Sequence, residues 1–171
     1  MITVRKATVE DAWGIAKVQV DSWRTTYKGI VPNEYLNSLS YESRFQKWKE
    51  TISNQSVFVA ENADSEIVGF ANGGKQRFEK YAKFSGELYA IYLLQSYQQK
   101  GIGKQLVKMV VDDLLKSEIT SMSVLVLADN SAKYFYEKLG AKLIGEDELE
   151  IAGVKLRELV YGWNNLNYIT W

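Results

Sequence analysis

The sequence of 171 residues contains no cysteine and no histidine. Without cysteine, disulfides, a thiol nucleophile and a thiolate metal site are excluded. Without histidine, Ser-His-Asp and Cys-His catalysis, a histidine-ligated zinc ion and an imidazole base are excluded as well. A purely carboxylate metal site is the one kind left open, but the spacing typical of a calcium-binding loop is absent. The sequence therefore predicts no metal site.

Long apolar stretches and an excess of one charge are missing too. The longest apolar run, Leu88–Leu94, is far shorter than the roughly 18 residues that a membrane helix needs. The charged segment Met1–Asp11 lacks the apolar core of a secretion signal. Lysine plus arginine number 21, as do aspartate plus glutamate, which argues against a protein built mainly to bind nucleic acid, although a local basic patch stays open. We expect a cytoplasmic protein that binds neither membrane nor nucleic acid.

Length and hydrophobic periodicity predict one α/β domain. The predicted element order is β-α-α-β-β-β-α-β-α-β-β, and Gly73–Ser85 is predicted to be a polar loop. The segment Glu87–Ala128 has a strand–helix–strand pattern. Its two strands are therefore expected to be parallel neighbours joined by a right-handed crossover.

A segment with two glycines, Gln98–Lys104, follows one of these strands and opens the next helix. Glycines at a helix start let main-chain N–H groups converge on an anion, and the helix dipole adds positive potential. The segment therefore predicts a phosphate site. It lacks the glycine spacing of a Walker loop, and Leu106 stands where a dinucleotide loop has its third glycine. A glycine-opened helix without any ligand stays open on this pattern alone.

Two motifs resemble those of the GNAT superfamily of N-acetyltransferases. Gln-x-x-Gly-x-Gly at residues 98–103 is similar to its acyl-CoA motif, and residues 130–140, an asparagine followed by Phe-Tyr-Glu-Lys-Leu-Gly, are similar to a later motif. A weaker similarity, over residues 22–32, points to a subset that includes polyamine acetyltransferase-like proteins. The resemblance covers about residues 2–163. Gln99 stands where many members have glycine, and we expect this departure to be tolerated.

The resemblance implies a mixed, mostly antiparallel sheet of six to seven strands with four helices and a parallel pair at the cofactor site. It implies an acyl-CoA N-acyltransferase domain over residues 1–163 and a C-terminal tail over residues 164–171. The implied reaction moves an acetyl group from acetyl-CoA to a primary amine, of a small molecule or of a protein, by direct attack in a ternary complex. The cofactor-binding residues that it implies are Ile91, Tyr92, Leu93, Gln98, Gln99, Lys100, Gly101, Ile102, Gly103, Lys104, Asn130 and Tyr136.

Three residues are implied in the chemistry. Tyr136 would protonate the leaving thiolate, or else only pack in the core, and the main-chain N–H of Leu93 would stabilise the oxyanion. An alkylammonium with a pKa of about 10.4 is neutral in only about one molecule in 2,500 at pH 7, a deficit of about 4.6 kcal/mol. Glu87 would offset this as a base, through water or with a raised pKa, or else is only a charge at a strand end.

The acceptor side is implied by position. Trp23, Tyr27 and Tyr35 lie in the segment that usually walls the acceptor site, where aromatic faces suit a cationic amine; an aromatic core and lid is the alternative. The loop Lys75–Phe84 is expected to be mobile and solvated, with contact to CoA phosphate or nucleic acid as the alternative. The tail is expected to fray or to pack on a partner subunit in a homodimer.

Two rival functions stay open at this point. The first is a non-catalytic CoA-binding sensor or regulatory domain, which the presence of Asn130 and Tyr136 disfavours. The second is a phosphate- or nucleotide-binding module of another fold. Acceptor choice depends on loops, and resemblance at the level of the fold does not determine it.

Overall fold

The chain forms one seven-stranded sheet and five α-helices in the computed structural model, which describes residues 1–171. The strands follow the order β1-β2-β3-β4-β5-β7-β6, and β4–β5 is the parallel pair. The strands are β1 (Thr3–Lys6), β2 (Val57–Glu61), β3 (Ile67–Lys75), β4 (Gly86–Leu93), β5 (Met122–Leu127), β6 (Lys142–Ile151) and β7 (Val154–Trp163). The helices are α1 (Ala12–Thr26), α2 (Asn33–Ser38), α3 (Tyr41–Asn54), α4 (Ile102–Lys116) and α5 (Ala132–Lys138).

This architecture confirms the predicted fold class: the sheet is mixed and mostly antiparallel, and four of the helices have seven or more residues. The predicted parallel pair on either side of α4 is present. The short helix α2 was not predicted. It follows Pro32, the single proline of the chain, in a stretch that contains too few apolar residues for a clear helical period.

The two faces of the sheet bury different helices. On one face, α4 turns Ile102, Leu106 and Val110 into the main core. That spacing of four residues places the three side chains on one face of a helix. On the other face, α1 and α3 bury Ile15 and Trp48 against the sheet. Because both faces are covered, the central strands read as nearly continuous apolar runs.

A β-bulge at Tyr89 changes which side chains of β4 face which helices. Ala90 pairs with Asn72 of β3, but the next residue of β3, Gly73, pairs with Leu88. Tyr89 is therefore the extra residue of the bulge. As a result Leu88 lies in the core under α4, whereas Ala90 two residues later packs on the side of α1.

The predicted polar loop Gly73–Ser85 is wrong at its start. Gly73 and Gly74 belong to β3 and pair with Leu88 and Glu87. Glycine is required at position 73 because a Cβ there would lie 2.8 Å from the carbonyl oxygen of Glu87. The two glycines are typical of a loop, but here they mark a close approach between neighbouring strands.

The segment Lys75–Phe84, expected to be a mobile, solvated loop, is mostly exposed as expected, but it contacts the sheet at several points, and its mobility stays a prediction. Lys80 forms an ion pair with Asp147 of β6, and the hydroxyl of Tyr81 donates to the same carboxylate at 2.6 Å. Phe84 is fully buried. The segment Lys75–Phe84 therefore packs against the sheet, and we call it the cover loop.

The C-terminal segment packs on the core of its own chain. Leu166 and Ile169 are buried in the core under α4, and the main-chain N–H of Leu166 donates to the carbonyl of Thr120 at 2.7 Å. Tyr168 and Trp171 stay exposed. None of the helices combines the length and the hydropathy that crossing a bilayer requires.

Candidate active site

Strands β4 and β5 separate part-way along their length. They pair only from Gly86 to Leu88, while β4 continues to Leu93. The main-chain N–H of Leu94 donates to β3, so by alternation Ile91 and Leu93 direct their N–H and C=O groups toward the opening. The opening therefore presents a strand edge to which an extended, amide-containing ligand can add.

At the end of this edge, six consecutive main-chain N–H groups, from Gln99 to Lys104, have no hydrogen-bond partner within the chain. Two left-handed residues, Gln99 (φ +60°) and Gly101 (φ +80°), produce the sharp turn before α4. Gln99 thus adopts a conformation that usually favours glycine. Groups converging in this way at a helix N-terminus form an anion site with the positive end of the helix dipole.

Side chains connect the turn to its surroundings. The amide of Gln98 donates to the carbonyl oxygen of Leu93 at 3.2 Å, so the turn is attached to the open edge of β4. A Cβ at Gly103 would lie 3.3 Å from the ring of Phe135 on α5. The small residue therefore lets α4 and α5 approach each other at the mouth of the opening.

A chain of polar groups crosses the opening from α5 to β4. Asn130 accepts from the main-chain N–H of Ala132 at 2.9 Å and donates to the hydroxyl of Tyr27 at 3.3 Å. The Tyr27 hydroxyl lies 3.3 Å from that of Tyr92. Burial raises the pKa of both phenols, so both are neutral at physiological pH. The structure thus brings together Tyr27, predicted for the acceptor, with Asn130 and Tyr92, predicted for the cofactor.

Tyr136 lies beside this network on α5. Its ring packs edge-on against Trp163, and only 5% of the residue is exposed. Its hydroxyl makes no hydrogen bond within the chain, and burial raises the pKa of the phenol, so the proton is retained above the ordinary range of tyrosine. The position thus combines packing in the core with an unused proton donor.

Glu87 is fully buried and bound by Arg77. The guanidinium donates to the carboxylate at 2.7 and 3.0 Å, and the main-chain N–H of Arg77 adds a third hydrogen bond at 3.2 Å. The bulge at Tyr89 places Glu87 on the same sheet face as Tyr92. The carboxylate is thus on the acceptor face, but its oxygens are already occupied by Arg77.

The predicted acceptor aromatics form a group over the open end of β4. The ring centroid of Trp23 is 4.4 Å from that of Tyr27, 6.1 Å from that of Tyr35 and 6.2 Å from that of Tyr92. The indole N–H of Trp23 is buried without a hydrogen-bond partner. This aromatic wall is half-buried, so both the acceptor role and the core role predicted for it fit the contacts.

Two charged residues of this region were missed by sequence reasoning, Arg77 and Glu158. Arg77 lies in the segment read as a loop, and Glu158 is half-buried on β7, where it pairs with Leu127 of β5. Neither residue stands in a motif. Both are brought to the site by strand pairing, which no local pattern indicates.

The comparisons with known proteins agree with this geometry. A profile of the Acetyltransferase (GNAT) family matches residues 18–141. The chain belongs to the GNAT family. Family membership makes it an N-acetyltransferase with acetyl-CoA as the cosubstrate.

Similar proteins span nearly the whole chain. It is 45% identical over 167 residues to the uncharacterized N-acetyltransferase YuaI of Bacillus subtilis (strain 168), covering 98% of this chain and 95% of the relative. It is 31% identical over 153 residues to the spermidine N(1)-acetyltransferase of Thermoplasma acidophilum, covering 85% and 91%. The crystal structure of PaiA N-acetyltransferase from the same organism, in complex with coenzyme A, matches with a TM-score of 0.70 at 28% identity, covering 92% of this chain and 98% of that one.

Proposed function

We propose that this GNAT protein transfers the acetyl group of acetyl-CoA to a primary amine of a small aliphatic molecule, with polyamines as the leading class. The observation that carries the proposal is the row of six unpaired N–H groups at residues 99–104, continuous with the open edge of β4. A diphosphate and an amide-containing arm need those two features side by side. The 31% identity to a spermidine acetyltransferase supports the amine class.

The chain offers a partner for each polar part of acetyl-CoA. The N–H groups of Gln99–Lys104 are assigned to the diphosphate, and Gln98 fixes their turn to β4. Ile91 and Leu93 are assigned to the amides of the pantetheine arm, as an added strand would be. Asn130 is assigned to the same arm, and its side chain is already held by Tyr27 and Ala132.

Acetyl-CoA supplies an activated acyl group, and the chain supplies position and protons. In the proposed reaction the amine nitrogen forms a bond to the thioester carbonyl carbon, and the N–H of Leu93 stabilises the resulting oxyanion. The C–S bond then breaks, and the sulfur takes the proton of the Tyr136 hydroxyl. The nitrogen that attacked gives up its second proton to form the amide, and this proton restores the phenol of Tyr136. The products are the N-acetylated amine and CoA as the thiol, and the ammonium proton is the one released overall.

Removal of the ammonium proton is assigned to Glu87 acting through water. Arg77 occupies the carboxylate directly, so a proton reaches it only by a relay or after Arg77 moves. Tyr92 and Trp23 exclude bulk solvent from the amine, and this favours the neutral form that attacks. Trp23, Tyr27 and Tyr35 form the wall of the acceptor site in this proposal.

The test is a CoA-release assay with acetyl-CoA and a panel of polyamines, monoamines, amino acids and peptide amines, with products identified by mass spectrometry. We expect CoA release that depends on a small aliphatic amine and yields its mono-N-acetyl product. A non-catalytic CoA sensor would bind acetyl-CoA without release for any amine. A nucleotide-binding module would gain thermal stability from ATP or NAD instead of CoA.

A further inference from the structure

Glu158 is a carboxylate on the acceptor face of the sheet without a cation partner. It lies on β7 between Leu127 of β5 and Asp147 of β6. Two neighbouring carboxylates on this face, those of Glu87 and Asp147, are each bound by an arginine or a lysine. Glu158 takes part in none of the ion pairs of the chain. The fold thus leaves one half-buried negative charge uncompensated at this place.

The side chain of Glu158 lines a cavity of about 110 Å³ between the cover loop and the sheet. A cavity needs only about 10–15 Å³ to hold one water molecule, so this cavity has room for an alkyl chain. Lys80 and Asp147 neutralise each other in its wall, which leaves Glu158 as the net charge. The lining residues are Phe78, Lys80, Tyr81, Leu125, Asp147 and Glu158.

The electrostatics of the cavity favour a cation. Burial raises the pKa of Glu158, and the nearby carboxylates of Asp147 and Glu87 raise it further, so its negative charge is disfavoured as long as no cation partner is present. The charge of Glu158 in turn contributes to the raised pKa of Tyr27, in the polar network of the candidate active site. A positive group that enters the cavity would relieve this repulsion while it remains within reach of the site.

We propose that this cavity binds the second ammonium group of a diamine or polyamine acceptor, held by the carboxylate of Glu158. The inference rests on the proposed function, because the first amine of the same molecule has to reach the acetyl group beside Tyr136. The apolar side chains of Phe78 and Leu125 would contact the methylene chain between the two nitrogens. Glu158 would then set the preference for a dication over a monoamine.

The test compares two amines of equal chain length, putrescine and butylamine, at saturating acetyl-CoA. We expect Glu158→Gln, which keeps shape and removes charge, to raise the KM for putrescine about tenfold, the loss typical of a hydrogen bond to a charged group. The KM for butylamine and both kcat values should stay unchanged. Glu148→Gln is the matched control, because Glu148 lies exposed on β6 and pairs with Lys155 at 3.8 Å outside the cavity.

The outcomes distinguish a failure of this inference from a failure of the proposed function. If the wild type acetylates both amines and Glu158→Gln leaves the KM for putrescine unchanged, or raises both KM values equally, the assignment of Glu158 is overturned and the acetyl transfer stands. If the wild type acetylates neither amine, the proposed acceptor class fails as well. If Glu158→Gln does not fold, a measurement on the wild type still tests the inference. Added salt should raise the KM for putrescine more than that for butylamine, and equal effects would overturn the inference.

Discussion

Arg77 and the buried carboxylate of Glu87 form an ion pair that joins the cover loop to the parallel strands of the sheet. The carboxylate is 1% exposed, and both the side chain and the main chain of Arg77 donate to it. Arg77 is half-exposed and also stacks on the ring of Tyr89 at 4.4 Å. The pair therefore positions the loop and holds a negative charge on the acceptor face.

Replacing Arg77 with methionine should destabilise the protein by about 3 kcal/mol, because it leaves a buried carboxylate unpaired. The double variant with Glu87→Gln should recover part of this loss, because the charge that lacked a partner is gone. Urea denaturation followed by circular dichroism measures both values.

Lys108 provides the control for this prediction. It forms an exposed pair with Asp112 one helical turn away, at 3.5 Å, and such pairs contribute about 0.5 kcal/mol or less. If Arg77→Met lowers the free energy of unfolding by as little as Lys108→Met does, the pair of Arg77 and Glu87 contributes no more to stability than an exposed pair.

Tyr136→Phe should lower kcat about 100-fold or more while the affinity for acetyl-CoA stays within about twofold, because only the proton donor is removed. The Tyr136 hydroxyl makes no hydrogen bond within the chain, so the melting temperature should hardly change. Steady-state kinetics, calorimetric titration with acetyl-CoA and thermal unfolding measure the three quantities.

Tyr27→Phe is the matched comparison for that variant. The Tyr27 hydroxyl bonds Asn130 and lies beside that of Tyr92, so its loss should reduce stability by about 1 kcal/mol. A normal turnover number for Tyr136→Phe would remove the phenol from the mechanism and leave only its packing role.

Gly101→Asp should weaken CoA binding by about tenfold or more, because it places a negative charge among N–H groups assigned to a diphosphate. Gly153, on the turn between β6 and β7, is the control: both glycines have φ +80° and open space where a Cβ would point. The two aspartate variants therefore share the same backbone strain. Equal CoA affinities in calorimetric titration would show that no diphosphate binds at the start of α4.

The contribution of Asp11 to stability should depend on pH. The guanidinium of Arg5 donates to this carboxylate at 2.8 and 2.9 Å and holds the pKa of Asp11 below its usual range. A lowered folded pKa stabilises the fold above the unfolded value, about 3.9, and this stabilisation is lost as the pH falls through the folded pKa.

Asp11→Asn tests this sign, because asparagine keeps an oxygen for the main-chain N–H of Thr8. The difference in free energy of unfolding between wild type and variant should be largest near neutral pH and should shrink below about pH 4. A difference that stays constant over this range would mean that the charge of Asp11 is not responsible.

Much of this architecture follows from local patterns in the sequence. The buried stripe of α4 and the continuous apolar run of β5 predicted the parallel unit, since a crossover helix with such a face has one way to pack. The start of α4 was predicted from the glycines of residues 98–104, because the left-handed conformation that Gly101 adopts there is a local property. The domain boundary at residue 163 stays a prediction, as do the cytoplasmic location and a homodimer.

Other features depend on contacts between distant residues, and local patterns do not encode them. Gly73 was assigned to a loop because the group that requires a glycine at this position, the carbonyl of Glu87, lies on another strand. The partner of Glu87 was missed for the same reason. The bulge at Tyr89 reverses the faces of β4, and only strand register reveals it. The surroundings of Glu158 are formed by residues of two neighbouring strands, so no local pattern in the sequence indicates its position.

A crystal structure with a non-hydrolysable acetyl-CoA analogue would show whether the coenzyme binds between the open edge of β4 and the start of α4. We expect diphosphate oxygens within about 3 Å of the N–H groups of Gln99–Lys104, the pantetheine arm along Ile91 and Leu93, and the thioester position next to the hydroxyl of Tyr136. Analogue bound elsewhere, or a turn at residues 99–104 without diphosphate at saturating analogue, would contradict this expectation.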